Sequence, residues 1–532
     1  MIAPGWEDWL GMTPGSGSGR VTERKLITGE LQDQRKGRHD ARPSRMSAVV
    51  HHQHAFIAPT GTAQPLVLGE LSRAIAFDAQ GETSLETFLA QVRGVAELLP
   101  DRRYVINLCE DRYRFLVAFS AAAMRGQTTL LPPSRARATV DDVRARHADS
   151  YCLMDGGHGD GEHGDRELEH IGFDDSGELA QGHLSDSRLP HDFRLPATLP
   201  QAPGPSPLVD DEAVVAIGFT SGSSGTPTPN AKTWRGFRTS TAQNLAVLEG
   251  MGDAGSLMHV VATVPPQHMY GMEMSVMLPL LGNAAIHGAR PFFPLDVLHA
   301  LEDAAACRLL VTTPVHLRAL VESGVVLPPL AGIITATAPL AQTLALQAES
   351  RFGCEVREMF GSTETCVFAR RRTAHEDAWT IFPGVRLTPR PDGTLVEAAH
   401  LPHAVLLPDL VELDGGTRFL LRGRQSDLLE IAGKRASLAD LSRRLLAIPG
   451  VDDGVVFQLD TADRNGVRRI AALVVAPTLG ESDVLAALRQ SIDPVFLPRR
   501  LKRVDALPRN ATGKLPRVSL LAMLQDGVQS GN

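Results

Sequence analysis

Seven consecutive small residues, at positions 220–226, form a stretch suited to binding phosphate. An apolar run, Val214 to Phe219, precedes them and predicts a buried strand. Glycines let the backbone turn its N–H groups inward, and hydroxyls add uncharged donors, which suits a polyphosphate. A flexible linker is the alternative, because Gly/Ser tracts are often linkers. The seven residues are Thr220, Ser221, Gly222, Ser223, Ser224, Gly225 and Thr226.

Two well-known loop motifs do not match this stretch. A Walker P-loop needs a lysine directly after its last glycine, and none follows Gly225. The nearest lysine is Lys232. The G-x-S-x-G nucleophile elbow needs glycines placed differently around Ser223 and Ser224.

A second stretch consists of Phe360, Gly361, Ser362, Thr363 and Glu364. Glu364 offers a hard oxygen ligand of the kind that Mg²⁺ prefers. Thr363 offers a hydroxyl donor for a phosphate oxygen. The structural alternative is a helix N-cap, because Ser or Thr before Glu is a capping signature.

Composition excludes several classes of protein. The 532 residues exceed one ordinary domain, and 43% hydrophobic with 21% charged residues indicate a soluble globular protein. A net charge of −8 disfavours a nucleic-acid partner. Five scattered cysteines without a C-x-x-C motif indicate reduced thiols. Since no membrane span or signal peptide is visible either, we expect a cytoplasmic location.

The chain divides into three parts. Residues 1–46 lack periodicity and predict a disordered tail, with Met46 as a hypothetical start. Strand and helix patterns then alternate, which predicts an α/β fold with a parallel sheet, and shorter elements after 422 predict a separate C-terminal domain. The histidine- and acid-rich stretch 155–170 is better read as a solvated loop than as a metal site. The predicted helices are 84–99, 112–124, 316–323 and 340–352, and the predicted strands are 104–108, 128–131, 214–219, 260–264, 309–312, 332–335 and 355–359.

Three motifs together resemble those of the adenylate-forming superfamily, which includes acyl-CoA synthetases, aryl-acid ligases and peptide-synthetase adenylation domains. The Gly/Ser loop resembles T-S-G-S-T-G-x-P-K, with Thr228 in place of the lysine. Phe360 to Glu364 matches [YF]-G-x-T-E. Leu507 to Arg517 matches P-x-x-x-x-G-K-[ILV]-x-R, and the resemblance places its Lys514 in the active site. Without that resemblance, Lys514 would be read as a surface lysine.

Two weaker matches concern the nucleotide. Thr337, Ala338 and Pro339 resemble a G-A-P turn that lies against adenine, with Thr337 in place of glycine. Asp409 falls where the superfamily has the aspartate that binds the ribose hydroxyls. A turn before a helix and an exposed turn aspartate are the respective alternatives.

Residues 423–427 match G-R-x-[DK]-D, the superfamily's inter-domain hinge. The resemblance implies that Arg424 contacts the ribose and that Ser426 or Asp427 rotates. It further implies a large N-terminal adenylate-forming domain with parallel α/β sheets at 47–422. A small mobile α+β C-terminal domain follows at 423–532.

The implied reaction has two steps. A carboxylate attacks the α-phosphorus of ATP to give an acyl-adenylate and pyrophosphate, and a phosphopantetheine thiol then takes the acyl group. The loop would hold the β- and γ-phosphates, Glu364 would bind Mg²⁺, and Lys514 would bridge the carboxylate and the α-phosphate. Rotation about the hinge would then withdraw Lys514 and open a channel for the thiol.

The segment PPQHMYG, at 265–271, resembles that of aryl-acid and coumarate ligases. It implies an aromatic, hydroxybenzoate- or cinnamate-like acid, with Tyr270 and Gly361 in the acid pocket and His268 at the thiol channel. A capping role for His268 and a core position for Tyr270 are the alternatives. No aspartate follows in the pattern that grips an amino acid's ammonium group, which disfavours amino-acid substrates.

Three longer stretches look like the ligases of aryl-polyene and xanthomonadin pigment clusters, which implies an acyl carrier protein as acceptor. They are TSGSSGTPTPNAKTW at 220–234, SLADLSRRLLAIPGV at 437–451 and LPRNATGKLPR at 507–517. Coenzyme A is the alternative acceptor. The basic stretch PRRLKR, at 498–503, is a docking site for that carrier or a solvated strand edge. An amidase-like hydrolase and a degenerate nucleotide-binding protein are the rival functions.

Overall fold

The computed structural model describes residues 62–156, 192–221, 227–253, 255–424, 428–431, 434–462, 468–509 and 513–525. The expected tail, Gly222 to Thr226, Ser426 and Asp427 lie outside these ranges, as does nearly all of the histidine-rich stretch. The domain limits remain a prediction.

Residues 62–248 alternate strands and helices, as the sequence predicts. Their elements are β1 (Ala63–Pro65), β2 (Ala74–Asp78), β3 (Gly81–Ser84), α1 (Leu85–Leu98), β4 (Tyr104–Asn107), α2 (Arg112–Met124), β5 (Thr128–Leu131), α3 (Arg137–Arg146), β6 (Ser150–Met154), β7 (Asp192–Arg194), β8 (Leu208–Asp210), β9 (Val214–Ser221), β10 (Pro227–Thr233) and α4 (Trp234–Leu248). A six-stranded sheet has the order β10-β9-β5-β4-β6-β7 and is parallel except for the β9–β10 hairpin. β1 and β8 form an antiparallel pair.

The next part builds an eleven-stranded sheet. Its elements are β11 (Met258–Ala262), α5 (Met269–Met272), a π-helical turn (Glu273–Met277), α6 (Leu278–Leu281), β12 (Ala284–His287), α7 (Pro294–Glu302), β13 (Arg308–Thr312), α8 (Pro314–Glu322), β14 (Gly332–Thr335), α9 (Gln342–Phe352), β15 (Val356–Ser362), β16 (Cys366–Arg371), β17 (Trp379–Ile381), β18 (Arg386–Arg390), β19 (Gly393–Glu397), β20 (Val405–Leu407), β21 (Asp409–Asp414) and β22 (Arg418–Arg424). The order is β21-β22-β17-β16-β15-β14-β13-β11-β12-β2-β3. Strands from β15 to β2 are parallel, and the strands at both ends are antiparallel. β18, β19 and β20 form a small antiparallel sheet.

Shorter elements follow, in the predicted α+β pattern. They are β23 (Leu428–Ile431), β24 (Lys434–Ser437), α10 (Leu438–Leu446), β25 (Asp453–Ala462), β26 (Arg468–Val475), α11 (Glu481–Ser491), a 3-10 turn (Pro494–Phe496), β27 (Arg500–Arg503) and α12 (Arg517–Gln525). The sheet β25-β26-β27 packs against α10 and α11 around its own core, which includes Leu441, Leu445, Val474 and Val484.

Helix α2 shows why the sequence folds this way. It begins at Asp111, whose side chain accepts a hydrogen bond from the Arg114 N–H at 2.7 Å. Nearly every residue from Phe115 to Ala123 is apolar and all are buried, so the helix has no solvent face. A helix that is apolar all round must be covered on all sides. It accordingly contacts α1 and strands of both large sheets, β5 and β12.

In the part of the chain that the structure describes, we find no helix long and apolar enough to cross a membrane.

Candidate active site

Three predicted site segments begin at the same edge of the eleven-stranded sheet. The parallel neighbours β11, β13, β14 and β15 end at this edge. The segment with His268 follows β11, the turn with Thr337 follows β14, and Thr363 and Glu364 follow β15. Ligands of open α/β sheets bind beyond the carboxyl ends of the strands. The fold therefore brings together residues that are far apart in the sequence.

Thr363 and Glu364 lie at the tip of the β15–β16 hairpin, in which Ser362 pairs with Cys366. The helix-cap alternative is therefore wrong, because no helix follows. The Ser362 N–H donates to Thr365 Oγ1 at 3.1 Å, and the Thr365 N–H donates to Ser362 Oγ at 3.2 Å, which closes the turn. Glu364 is half-buried and its carboxylate lies near the predicted catalytic lysine.

The two residues before this turn are held by packing. A Cβ on Gly361 would lie 2.2 Å from the Cys366 carbonyl oxygen, so the hairpin requires glycine there. The Phe360 ring packs against Phe368 and Trp379, with centroid distances of 5.3 and 5.0 Å. Burial raises the pKa of Cys366 to about 12, so its thiol stays neutral and serves packing.

The Gly/Ser loop joins β9 to β10 in a hairpin, where the sequence alone did not predict a second strand. Thr220 and Ser221 end β9, and the loop's remaining residues lie outside the described ranges. A Cβ on Gly218 would lie 2.6 Å from Thr363 Cγ2. The phosphate-loop strand and the Glu364 hairpin are therefore in direct contact.

The predicted adenine turn has the backbone shape of a glycine turn. Thr337 has φ = 81°, in the left-handed region that favours glycine, which matches the glycine of the resembled motif. The turn is anchored beyond Ala338 and Pro339, where the Leu340 N–H donates to Glu358 Oε1 at 2.9 Å.

Asp409 and Arg424 face each other across the β21–β22 pair. The Arg424 Nε donates to Asp409 Oδ1 at 3.1 Å. Asp409 is buried, and Arg424 is exposed. The two residues separately predicted to contact ribose thus form one ion pair, with Asp409 oriented by its partner.

Lys514 lies in the same site. The Lys514 side chain is solvent-exposed. Desolvation by the surrounding protein and the positive charge of Arg424 lower the pKa of Lys514, and the negative charge of Glu364 opposes this effect. A Cβ on Gly513, which has φ = +76°, would lie 3.3 Å from Val315 Cγ2 and 3.9 Å from Ala338 Cβ. The glycine turn therefore docks beside the adenine turn and carries Lys514 towards Glu364.

His268 begins α5 but makes no capping bond with its side chain, so the capping alternative is wrong. Burial, with the nearby charges of Lys514 and Arg290, lowers the pKa of His268 to about 4. The imidazole is neutral at physiological pH. Cations around a neutral imidazole suit a site that must hold a carboxylate and a phosphate together.

Tyr270 is part of the large apolar core, which is the alternative that the sequence left open beside a place in the acid pocket. Its hydroxyl is nevertheless buried with no hydrogen-bond partner among the described residues, as is Gln267 Oε1. Buried polar atoms normally have partners, so these two atoms are candidates for pairing with a bound molecule.

Sequence reasoning missed two buried charges. Arg112 is fully buried and donates to the carbonyls of Ala262 and Val264, both at 2.8 Å, where β11 leads towards His268. Glu273 opens the π-helical turn and is buried beside the Glu364 hairpin. For Glu273 the available signal was a charge within an otherwise apolar stretch, and Arg112 gave no such signal because charged residues flank it.

The donors present fit the groups that the resemblance implies. Glu364 supplies a carboxylate at a half-buried, solvent-reachable tip, which suits Mg²⁺ because this ion keeps waters and phosphate oxygens. Asp409 supplies acceptor oxygens suited to hydroxyl groups. Together with Lys514, these features define an adenylate-forming enzyme.

Comparison with known proteins supports the same class of enzyme. The family model described as AMP-binding enzyme matches residues 74–392. The chain belongs to the AMP-binding enzyme family, and it is an ATP-dependent acid–thiol ligase.

Two relatives bear the name 4-coumarate–CoA ligase. The one from Rhodobacter capsulatus is 28% identical over 310 residues, covering 57% of this chain and 75% of the relative. The one from Halorhodospira halophila is 30% identical over 318 residues, covering 56% and 73%. Enterobactin synthase component E of Escherichia coli is 23% identical over 359 residues, covering 59% and 65%.

Solved structures share the fold. ATP-bound MatB from Rhodopseudomonas palustris has a TM-score of 0.69 at 17% identity, covering 86% of this chain and 97% of that one. A benzoate CoA ligase from Burkholderia xenovorans has a TM-score of 0.66 at 16% identity, covering 85% and 96%.

Proposed function

We propose that this chain converts an aromatic carboxylic acid into an acyl-adenylate and transfers the acyl group to a phosphopantetheine thiol. The observation that carries the proposal is the position of Lys514, which follows a glycine turn packed beside Val315 and Ala338 and lies near enough to Glu364 and Arg424 for their charges to act on it. This arrangement supports a role for Lys514 in the first of the two reaction steps.

In that step an oxygen of the carboxylate forms a bond to the α-phosphorus of ATP, and pyrophosphate leaves with the electrons of the broken P–O bond. Lys514 orients the carboxylate and stabilises the charge that develops on the α-phosphate. Asp409 orients the ribose. When bound at Glu364, Mg²⁺ neutralises phosphate oxygens. His268 is neutral, and the nearby positive charges of Lys514 and Arg290 are the ones that attract the two anions.

The aromatic assignment is supported by the acid segment and by relatives. The unpartnered Tyr270 hydroxyl and Gln267 Oε1 are suited to a ring substituent such as a phenolic hydroxyl, which both donates and accepts. The relatives include two named 4-coumarate–CoA ligases and one named 3-hydroxybenzoate–CoA/4-hydroxybenzoate–CoA ligase, from Thauera aromatica, which is 28% identical over 123 residues.

For the acceptor we propose an acyl carrier protein, with coenzyme A as the second candidate. The basic stretch supports the first, because exposed Arg500 offers a positive charge to an acidic carrier. The position of β27 at the edge of its sheet fits the alternative, a solvated strand edge. Lys502 is less available, since its Nζ donates to the Met523 carbonyl at 2.6 Å. The names of the relatives, several of them CoA ligases, favour the second candidate.

The test is a pyrophosphate-exchange screen across benzoates, cinnamates and fatty acids. We expect exchange with a hydroxylated benzoate or cinnamate. Exchange only with fatty acids would contradict the aromatic assignment. ATP binding without exchange for any acid, or amide hydrolysis without ATP, would contradict the proposed activity.

The acceptor is then identified by supplying the preferred acid with holo-carrier protein or with coenzyme A. Thioester is measured by mass spectrometry for the carrier and by chromatography for coenzyme A. A higher kcat/KM with coenzyme A would overturn the carrier-protein proposal and leave acid activation intact.

A further inference from the structure

A buried lysine lies beneath the tip of the β15–β16 hairpin. Lys232, on β10, is only 6% exposed. Its Nζ donates a hydrogen bond to the main-chain carbonyl oxygen of Glu364 at 2.8 Å. Burying an ammonium group is costly unless it is well paired, so a lysine here needs a reason beyond packing.

A buried carboxyl group holds the other end of the same turn. Glu273 is 1% exposed, and its Oε2 accepts a hydrogen bond from the Val367 N–H at 3.0 Å. Its Oε1 accepts from Asn244 Nδ2 at 3.1 Å. Burial raises the pKa of Glu273 to about 7, and the hydrogen bonds from Asn244 and Val367 and the positive charge of Lys232 oppose this effect, so Lys232 and Glu273 are electrostatically coupled.

This pair joins three parts of the site. Lys232 lies on β10, the strand that follows the predicted phosphate loop. Glu273 is the first residue of the π-helical turn that follows α5 and the acid segment. Both bind the backbone of the hairpin that carries Glu364, one at residue 364 and the other at Val367. The backbone position of Glu364 is therefore set from two sides.

The strand register explains how Lys232 reaches this place. Thr228 pairs with Thr220 at the mouth of the loop, and it stands where the resembled motif has lysine. Lys232 is four residues further along β10, on the same face because side chains alternate along a strand. Its partner on β9 is Ala216, which is buried in the sheet. The Lys232 side chain therefore starts from the sheet interior and reaches the backbone of the hairpin tip at Glu364.

We propose that Lys232 is a positioning residue, which holds the Glu364 backbone so that the carboxylate is aimed at the metal–phosphate site. The proposal rests on the proposed role of Glu364 as a magnesium ligand. A residue that orients a metal ligand affects metal affinity without touching the metal. Loss of Lys232 should therefore change the magnesium requirement specifically, and not only stability.

The experiment is a Mg²⁺ titration of pyrophosphate exchange in the full-length enzyme. Lys232→Met removes the donor and keeps the aliphatic stem. We expect the Mg²⁺ concentration for half-maximal rate to rise about 10- to 100-fold, the usual range for losing such a supporting contact. KM for the acid should change less than this.

The matched control is Arg357→Met. Arg357 is also buried, and its Nη1 donates to a main-chain carbonyl oxygen, that of Val247. It lies on the same β15 strand as the hairpin, one residue after the strand begins. We expect this variant to lower Tm while the Mg²⁺ titration is unchanged.

Lys232→Gln is the second variant, in case Lys232→Met does not fold. Its shorter amide removes the buried charge and the contact at 2.8 Å, and the same direction of shift is expected. An unchanged Mg²⁺ titration in a folded Lys232 variant would overturn the proposal if Glu364→Gln does shift it. A shift of equal size in the Mg²⁺ titration of Arg357→Met would also overturn the proposal. If Glu364→Gln has no effect either, the proposed role of Glu364 fails instead.

Discussion

Replacing Asp409 with asparagine tests the ribose site that the ion pair suggests. The Asp409 side chain is 10% exposed and accepts from Arg424 Nε at 3.1 Å. Its main-chain oxygen separately accepts from Thr394 Oγ1 at 2.6 Å, so the strand is held without the carboxylate. Asparagine keeps the size and one acceptor oxygen, and it loses the charge and the second acceptor. The fold should therefore survive while ribose binding weakens.

The expected magnitude follows from the hydrogen bond that is lost. A hydrogen bond to a charged group contributes about 1.5–3 kcal/mol, and each 1.4 kcal/mol is a factor of ten. In pyrophosphate exchange, KM for ATP should rise about 10- to 100-fold with KM for the acid unchanged. The variant should also discriminate less against 2′-deoxy-ATP or 3′-deoxy-ATP, since part of that interaction is already gone.

The control is Glu412→Gln on the same pair of strands. Glu412 pairs with Arg422 at 2.6 Å, and both side chains are exposed. Exposed ion pairs contribute little, so both KM values should stay at the wild-type level. If Asp409→Asn leaves KM for ATP and the deoxynucleotide penalty unchanged, the ribose binds elsewhere and the assignment is wrong.

The remaining predictions concern the metal, the histidine and the acceptor. Glu364→Gln should raise the Mg²⁺ requirement of pyrophosphate exchange and lower its rate, because a neutral amide is a poorer ligand for a hard cation; an unchanged titration would place the ligand elsewhere. The pKa of His268 is lowered to about 4, so its protonation does not shape the rate of thioester formation near pH 6.5. The pH–rate profile of His268→Asn should therefore match that of the wild type around this pH. If a fall in rate below pH 6.5 disappears in the variant, the imidazole does titrate there. The same shift makes the His268 contribution to unfolding free energy fall as pH drops from 6.5 towards 4, where the unfolded chain takes up the proton first. Reversing charge at Arg499 and Arg500 should raise KM for a carrier protein, most at low salt, without affecting pyrophosphate exchange; unchanged kinetics with both acceptors would make the stretch a surface feature only.

Local patterns predicted the central elements well. The predicted helix at 112–124 and strands at 128–131 and 332–335 coincide with α2, β5 and β14. These segments combine apolar periodicity with clear boundaries, such as the Asp111 cap. The strand after the Gly/Ser loop was missed, because Pro227 and Pro229 argue against a strand interior. The sheet tolerates them because β10 is its edge strand.

The same limit applies to the hairpin of Glu364. Thr363 followed by Glu364 is compatible with a helix cap and with a hairpin tip, and only the partner strand β16 decides between them. Local patterns carry no information on such pairing across the chain.

Site residues with a motif could be predicted one by one, and their pairing could not. Asp409 and Arg424 were each assigned to the ribose, yet their ion pair depends on the register of β21 and β22. The Lys232 contact joins residues 132 positions apart, and no periodicity reports such a distance. Glu273 was overlooked because its burial depends on hydrogen bonds from Asn244 and Val367, which are distant in the sequence. The apolar stretch around Glu273 does not reveal these partners.

The most direct test of the account separates the two half-reactions in Lys514→Ala. Lys514 lies with Glu364 and Arg424 in the arrangement assigned to acid activation. We therefore predict that pyrophosphate exchange falls by orders of magnitude, while thioester formation from a presynthesised acyl-adenylate stays near the wild-type rate. Equal loss in both assays, or retention of exchange, would contradict the assignment of Lys514 and with it the proposed mechanism.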